Sequence, residues 1–555
     1  MADTLLFRQL SSLAKVFLDD DPNRCPEVDS ITALKGERIS WQILYKGTFH
    51  GQRKTPVTFT FQRDDRIPLQ FYTVGNVPCM LPCRFDKHDD DNYLRTSPGL
   101  YPDVLFPLKE NRLFVVAENC HSLFITATIP EAIEPGSYPI RLTFTVGGEN
   151  PVILEKVYTI TVLDAVLPPQ ETVYTQWFHS DCIATYYGLE ILSEAHWAML
   201  EKFIAMAAHT GINMLLTPIF TPPLDTAIGS ERPTMQLMDI RLDEKGYHFS
   251  FDKLARWIRL CQKHGIHRFE ICHLFTQWGS GCTPKIVVHT KDGEQKLFGW
   301  HVKSDTPAYQ DFLNACIPAL TAFLKEQGVY DNTYFHISDE PKFEKNLDIY
   351  LQQRQMIAHL IPEDKLMEAC SHPGFMTQGI IKRPVCITNK VETFWEQGLT
   401  NIWAYYCCLP HDRNYGNRFI AMPSGRNRIN GFQLYKYGIG GFLHWGYNFY
   451  YSQLSRRPIN PFCETDAEEA FPSGDAFSVY PGAEGPLESL RSVVFYESLQ
   501  DIRACQLLER HIGREAVLAL INQDGEIKFN VYPSTDEGIL AIRQRINDRL
   551  AQNLK

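Results

Sequence analysis

Two rhythms of apolar and polar positions divide the chain. Up to about residue 165, short runs alternate apolar and polar residues between turn residues: 38–44, 57–61, 113–116, 122–128, 138–146 and 157–162. Period-two runs at this spacing predict half-buried strands packed as a β-sandwich. Glu134-Pro135-Gly136-Ser137 supplies a corner signal, and Leu167-Pro168-Pro169-Gln170 reads as a linker. Beyond it the pattern becomes strand, then helix, repeated. A strand over 172–178 is followed by a helix that Ser193 can cap, with Trp197, Leu200, Ile204 and Ala208 on one face and Gly211 after its end. The apolar run 212–217 comes next. A helix over 252–264 carries Leu254, Trp257, Ile258 and Cys261 and stops at Gly265. A strand around 269–272, a helix from Phe312 to Gln327 ending at Gly328, and a strand over 333–337 continue the series. Further strands are predicted at 366–369, 385–388, 402–406 and 441–445, bringing the count to eight.

Eight strand–helix repeats predict a (β/α)8 TIM-type barrel. An open doubly wound sheet is the alternative, but no dinucleotide-type glycine-rich loop follows the first strand. The expected division is a β-sandwich over 1–168, a catalytic barrel over 169–465, and a C-terminal extension over 466–555. The extension is predicted to hold a helix near 487–512 and to pack on the barrel.

Composition narrows the function. The net charge of -11 argues against a nucleic-acid or anionic-membrane partner and suits a neutral small-molecule glycan. Residues 1–19 lack a basic segment followed by an apolar one, and no apolar stretch approaches bilayer-spanning length, so a cytoplasmic protein without membrane insertion is expected. Self-association into a homo-oligomer is compatible with the sequence. The 15 cysteines form no zinc-type spacing and read as reduced, mostly buried residues; Cys407 and Cys408 are adjacent. No metal and no cofactor is expected.

Barrel chemistry sits at the carboxyl ends of the strands. The fourth predicted strand ends in His336-Ile337-Ser338-Asp339-Glu340-Pro341. Two adjacent acids after a buried strand are unfavourable for packing, and like charges this close should raise at least one pKa, as a general acid near neutral pH requires. Where the backbone leaves the pleat, both can converge, and Pro341 biases Glu340 away from helical dihedrals. A solvated loop with a helix-capping Asp is the bland alternative. The other strand ends offer Trp177 and His179, Trp278, Tyr405 and Tyr406, and Trp445 with Asn448. Aromatic rings there suit stacking on pyranose faces, although each could equally fill core. His179, His273 and His336 lie on different strands, which disfavours a metal triad; His336 reads as a hydrogen-bond partner behind the carboxylates. A conventional retaining glycosidase needs a second carboxylate about 5 Å from the acid. The seventh strand supplies none, so adjacent carboxylates point to attack by the substrate's own 2-acetamido oxygen.

At these residues the sequence resembles glycoside hydrolase family 123, the β-N-acetylgalactosaminidases. The resemblance rests on 336–341, on Asn417-Arg418-Phe419-Ile420, on Tyr437-Gly438-Ile439-Gly440-Gly441-Phe442-Leu443-His444-Trp445-Gly446 and on Asp475-Ala476-Phe477-Ser478-Val479-Tyr480-Pro481-Gly482. It covers roughly residues 176–509 and matches the sandwich only by type. It implies a β-sandwich followed by a (β/α)8 barrel and exo-acting release of terminal β-linked N-acetylgalactosamine, with Asp339 stabilising the acetamido group and Glu340 as acid/base. Arg418 joins Trp177, His179, Trp278, His336, Tyr405, Tyr406, Trp445 and Asn448 as candidates for sugar binding. Two other readings stand beside it. One is a glycosidase of other specificity with Asp181, Asp225 or Glu270 as second carboxylate. The other is a non-catalytic carbohydrate-binding protein.

Overall fold

The computed structural model describes residues 4–49, 53–84, 90–146, 152–279 and 281–553. The chain forms two compact units that are discontinuous in sequence. One comprises 1–170, 411–436 and 487–555; the other comprises 171–410 and 437–486.

The first unit contains two five-stranded sheets. In one, Thr4–Ser11, Arg38–Thr48, His121–Thr128, Leu69–Cys79 and Gly99–Pro107 pair in that order, all antiparallel. In the other, Ser30–Lys35, Val152–Val166, Gly136–Val146, Lys54–Gln62 and Arg112–Val116 pair, the first two in parallel. Alternation explains the core. Val57 and Phe59 point inward from one sheet and Trp41, Ile43 and Ile125 from the other. Trp41 stacks on Tyr158 with ring centroids 4.5 Å apart.

The C-terminal segment departs from expectation. From residue 487 on, it belongs to the unit of the two sheets, together with 411–436. Buried charge explains why. Arg428 pairs with Glu497 and Asp501 of the helix Leu490–Ile512, and Arg543 of the helix Asp536–Asn553 bridges Asp501 and Glu37, each at 2.9 Å. Gln500 brackets Arg38, accepting its N–H and donating to its carbonyl. Removing one partner of such a buried network is costly, so these segments are held together by pairs far apart in sequence.

The second unit is built on eight parallel strands: β1 Val173–Gln176, β2 Met214–Thr217, β3 Arg268–Ile271, β4 Thr333–Phe335, β5 Glu368–Ala369, β6 Pro384–Ile387, β7 Trp403–Tyr405 and β8 Gly441–His444. They pair in the order β4-β3-β2-β1-β8-β7-β6-β5. This order follows the chain without a reversal point, unlike a doubly wound sheet. The sheet curls: an isolated parallel bridge joins Phe335 to Leu366, and Met367 N–H donates to the Phe335 carbonyl at 3.1 Å. Helix signals read from sequence appear where expected. Ser193 caps the helix Glu194–His209, and Gly211, Gly265 and Gly328 take positive φ just beyond their helices. A four-stranded insertion, Asp239–Asp243, Gly246–Ser250, Ile286–Thr290 and Gly293–Phe298, was not predicted. Among the described residues no helix is long and apolar enough to cross a membrane, and the 15 cysteines are all free thiols.

Candidate active site

The path of the chain after β4 sets the site. Residues past β3 run beside it: Leu274, Phe275 and Trp278 donate their N–H groups to the carbonyls of His336, Ile337 and Asp339. On the other side β5 is only two residues long, and a carboxylate replaces the missing ladder. Glu368, fully buried, accepts the N–H groups of Ile337 and Ser338. Burial pushes the Glu368 carboxyl well above the usual range against the pull of those two donors, and Asp339 adds to the rise. Glu340 then takes φ +44°, a left-handed conformation rare outside glycine. That turn breaks the alternation of the strand, so neighbouring Asp339 and Glu340 both enter one pocket.

The pocket, about 620 Å³ including its mouth, is lined by Trp177, Leu224, Asp225, Trp278, Asp339, Glu340, Ala369, Tyr405, Cys407, Cys408, Leu443, Trp445 and Phe471. Its size falls in the range of small-molecule sites. Asp339 is almost fully buried, and its carboxylate oxygens have no protein hydrogen-bond partner among the described residues. Burial raises its pKa well above the usual value, and Glu340 and Asp225 push it further. Burial also raises Glu340, opposed by the Tyr405 hydroxyl, which donates to Glu340 Oε1 at 2.8 Å, and by Lys342. Two carboxyls so close and so dry cannot both ionise cheaply, so the pair retains a proton toward neutral pH.

The aromatic walls are fixed from behind. Trp177 donates its indole N–H to Glu270 at 2.6 Å, and Trp445 donates to Asp475 at 3.0 Å. Phe471 meets Trp445 edge-on with centroids 5.1 Å apart. Trp278 sits at the rim, 41% exposed, with φ +55°. Phe471 and Asp475 went unassigned in the sequence reading, although Asp475 opens one of the motifs that carried the resemblance.

Other expected sugar contacts do not line the pocket. Tyr406 is fully buried and packs edge-on against Phe442 and His444, because adjacent residues of β7 and its extension point to opposite sides. His336 lies beneath the site, 2.6 Å from Glu270. His179 is clasped by Asn448, whose Oδ1 accepts its N–H at 2.8 Å, and by Arg232 and the Trp445 carbonyl. Burial and Arg232 depress His179 to about 3, so it is neutral. Arg418 is buried in the 411–436 segment, within the first unit. His273 stacks on His336 with ring centroids 4.3 Å apart, while His179 meets Arg232.

Of the three alternative carboxylates, Asp181 is locked by Arg232 through contacts of 2.6 and 2.9 Å. Glu270 is saturated by Thr175, Trp177 and His336. Asp225 alone lines the pocket. Glu270→Ala is therefore expected to leave three buried polar groups unpaired and to lower unfolding stability by about 3–5 kcal/mol, read as an earlier urea midpoint. A variant of unchanged stability but no activity would instead assign Glu270 to the chemistry.

Paired carboxylates among aromatic rings, at the carboxyl ends of a curled parallel sheet, fit a carbohydrate-cleaving hydrolase. A family model described as "Glycoside hydrolase 123, catalytic domain" matches residues 177–508, more than half of the chain, which therefore belongs to glycoside hydrolase family 123. A solved family 123 glycoside hydrolase from Clostridium perfringens, described in terms of glycolipid glycan hydrolysis, is similar over 99% of this chain and 99% of its own, with TM-score 0.72 and 15% identity. A Bacteroides ovatus GH5 xyloglucanase covers 85% of this chain and 98% of its own at TM-score 0.27 and 9% identity, too distant to carry an argument. No curated protein sequence matches the chain.

Proposed function

We propose that this chain is an exo-acting glycosidase that releases terminal β-linked N-acetylgalactosamine with retention of configuration, its eight-stranded sheet serving as a (β/α)8 barrel. The observation that carries the reading is the Asp339 carboxylate, without a protein hydrogen-bond donor among the described residues, beside Glu340 in one pocket. An acid with no protein donor is ready for a ligand N–H. In the first step Glu340 protonates the departing glycosidic oxygen while the acetamido oxygen attacks C1. The C1–O bond breaks as the ring of an oxazolinium closes, and Asp339 holds its N–H. Water then attacks C1 as the bond from C1 to the oxazolinium oxygen breaks and restores the acetamido group, Glu340 takes the water's proton, and the β-sugar is released. Tyr405 steadies Glu340 through both steps.

The pocket's charge supports a neutral substrate. Its titratable liners include three carboxylates and no lysine or arginine among the described residues, so a sulfated or uronic sugar meets only repulsion. The C. perfringens relative makes a glycolipid glycan a reasonable natural substrate class for this chain too.

A panel of aryl β-glycosides tests the reading: N-acetylgalactosaminide, N-acetylglucosaminide, galactoside and glucoside. Release from the first, with little from the sugars lacking an acetamido group, is expected. Equal release of galactose would sink the substrate-assisted route, and no release at all would favour the binding protein.

A further inference from the structure

Asp225 is a third carboxylate in the pocket, and the proposed mechanism gives it no work. Its construction is deliberate in physical terms. It follows β2 on the loop Thr221-Pro222-Pro223-Leu224-Asp225-Thr226 and takes φ +39°, a conformation L-residues rarely adopt. Several bonds hold it there. Leu454 N–H donates to Asp225 Oδ2 at 2.9 Å, and the Ser455 hydroxyl donates to the Asp225 carbonyl at 2.7 Å. Ala227 N–H donates to the Leu454 carbonyl at 3.0 Å. On the other flank Gln277, next to the rim residue Trp278, donates to the Thr226 carbonyl at 2.8 Å. The residue is thus strapped to two loops, one of them bearing Trp278.

Its carboxylate is half satisfied. Oδ2 has the Leu454 amide; Oδ1 has no protein partner among the described residues. Arg232 acts on it electrostatically but is committed to Asp181 and His179. Asp225 lines the same pocket as Asp339 and Glu340, and its charge helps to raise the Asp339 pKa, so it lies close to the carboxylate assigned to the acetamido group. A fixed acceptor with one open oxygen calls for a ligand donor, and the donors of a neutral sugar, besides the acetamido N–H already assigned to Asp339, are its ring hydroxyls.

We infer that Asp225 anchors one ring hydroxyl of the terminal sugar and thereby sets which stereoisomer the pocket accepts. The inference rests on the function proposed above. A carboxylate fixed by its backbone discriminates well, because an isomer with the hydroxyl displaced covers the half-buried acceptor without pairing it. The strained loop holds the oxygen in place before the sugar arrives, so little order is lost on binding.

The test pairs Asp225→Asn with deoxygenated substrates. Asparagine keeps the shape and the oxygen that accepts from Leu454, and removes the charge. Asp225→Ser, with a shorter acceptor, serves as the second variant if the first fails to fold. Substrates are the aryl β-N-acetylgalactosaminide and its 3-, 4- and 6-deoxy analogues. On the parent, kcat/KM is expected to fall about 10–100-fold, the worth of a hydrogen bond to a charged group. On one deoxy analogue, variant and wild type should be nearly equal, because the partner of Asp225 is already missing. An equal fall on all four substrates would make Asp225 a scaffold residue only and overturn the inference while leaving the mechanism intact. Wild type inert toward the parent would overturn both. Trapping of a fluorosugar ester on Asp225 would make it a nucleophile, and the anchoring role would be wrong.

Discussion

Glu340→Gln should lower kcat/KM about 10²–10⁴-fold on glycosides with poor leaving groups, the usual worth of a positioned general acid. On activated aryl glycosides the loss should be far smaller, because a good leaving group departs without a proton. The pH profile makes the assignment sharper. Burial raises Glu340, so its acid form survives above the ordinary carboxyl range, and the alkaline limb of kcat/KM reports its loss. The Tyr405 hydroxyl bonds to the charged carboxylate and so pulls that pKa down. Tyr405→Phe removes the pull. The Glu340 pKa then rises, the acid form persists further, and the alkaline limb moves to higher pH. Asp339 and Lys342 remain in place in that variant, so the shift reads Tyr405 alone. In Glu340→Gln the limb should vanish. Equal losses across leaving groups, or an unmoved limb in Tyr405→Phe, would count against Glu340 as the acid.

Local chemistry made much of the catalytic unit legible. All eight strands coincide with short apolar runs, and three helix ends were marked by glycines that took positive φ. Asp339-Glu340-Pro341 announced itself because two acids after a buried strand have no packing reason to be there. What stayed hidden depends on long-range pairing. Nothing near Arg428, Asp501 or Arg543 reveals that they meet, so the C-terminal helices could not be given to the first unit. Glu368 was readable in principle: a charged residue inside an apolar strand needs a partner, and here it finds two backbone amides. Tyr406 and Asn448 lie beside strand ends in sequence but not in the pocket. Alternation turned the first away, and the backbone clasp on His179 used the second. The insertion between β2 and β3 and its continuation after β3 was missed because its strands are short and half-exposed, with weak periodicity.

Asp339→Asn separates the substrate-assisted route from a route through a protein ester. Under the first, the acetamido oxygen is the nucleophile and Asp339 holds the N–H as positive charge develops on the closing ring. Asparagine keeps the shape and removes the charge, so turnover of the N-acetylgalactosaminide should fall about 10²–10³-fold, the cost of losing one preorganised electrostatic group. Affinity for a thiazoline that mimics the bicyclic intermediate should fall with it, since a site complementary to the intermediate also resembles the flanking transition states. The fall should be shared. A variant that turned over slowly but bound the thiazoline as tightly as wild type would show that Asp339 does not meet the ring nitrogen. The strained neighbour argues that the position is set before substrate arrives: Glu340 at φ +44° and the Trp278 amide on the Asp339 carbonyl fix the backbone on both sides of the carboxylate. The rival route has one carboxylate left to use, because Asp181 and Glu270 are spent on Arg232 and on Trp177, Thr175 and His336. That carboxylate is Asp225, which lines the pocket with Asp339 and Glu340 and accepts the Leu454 amide on one oxygen. A 2-fluorosugar that left wild type unlabelled, beside a thiazoline that bound it tightly and Asp339→Asn weakly, is the expected result. A covalent ester on Asp225 would reverse the assignment and leave Asp339 with no role beyond tuning Glu340.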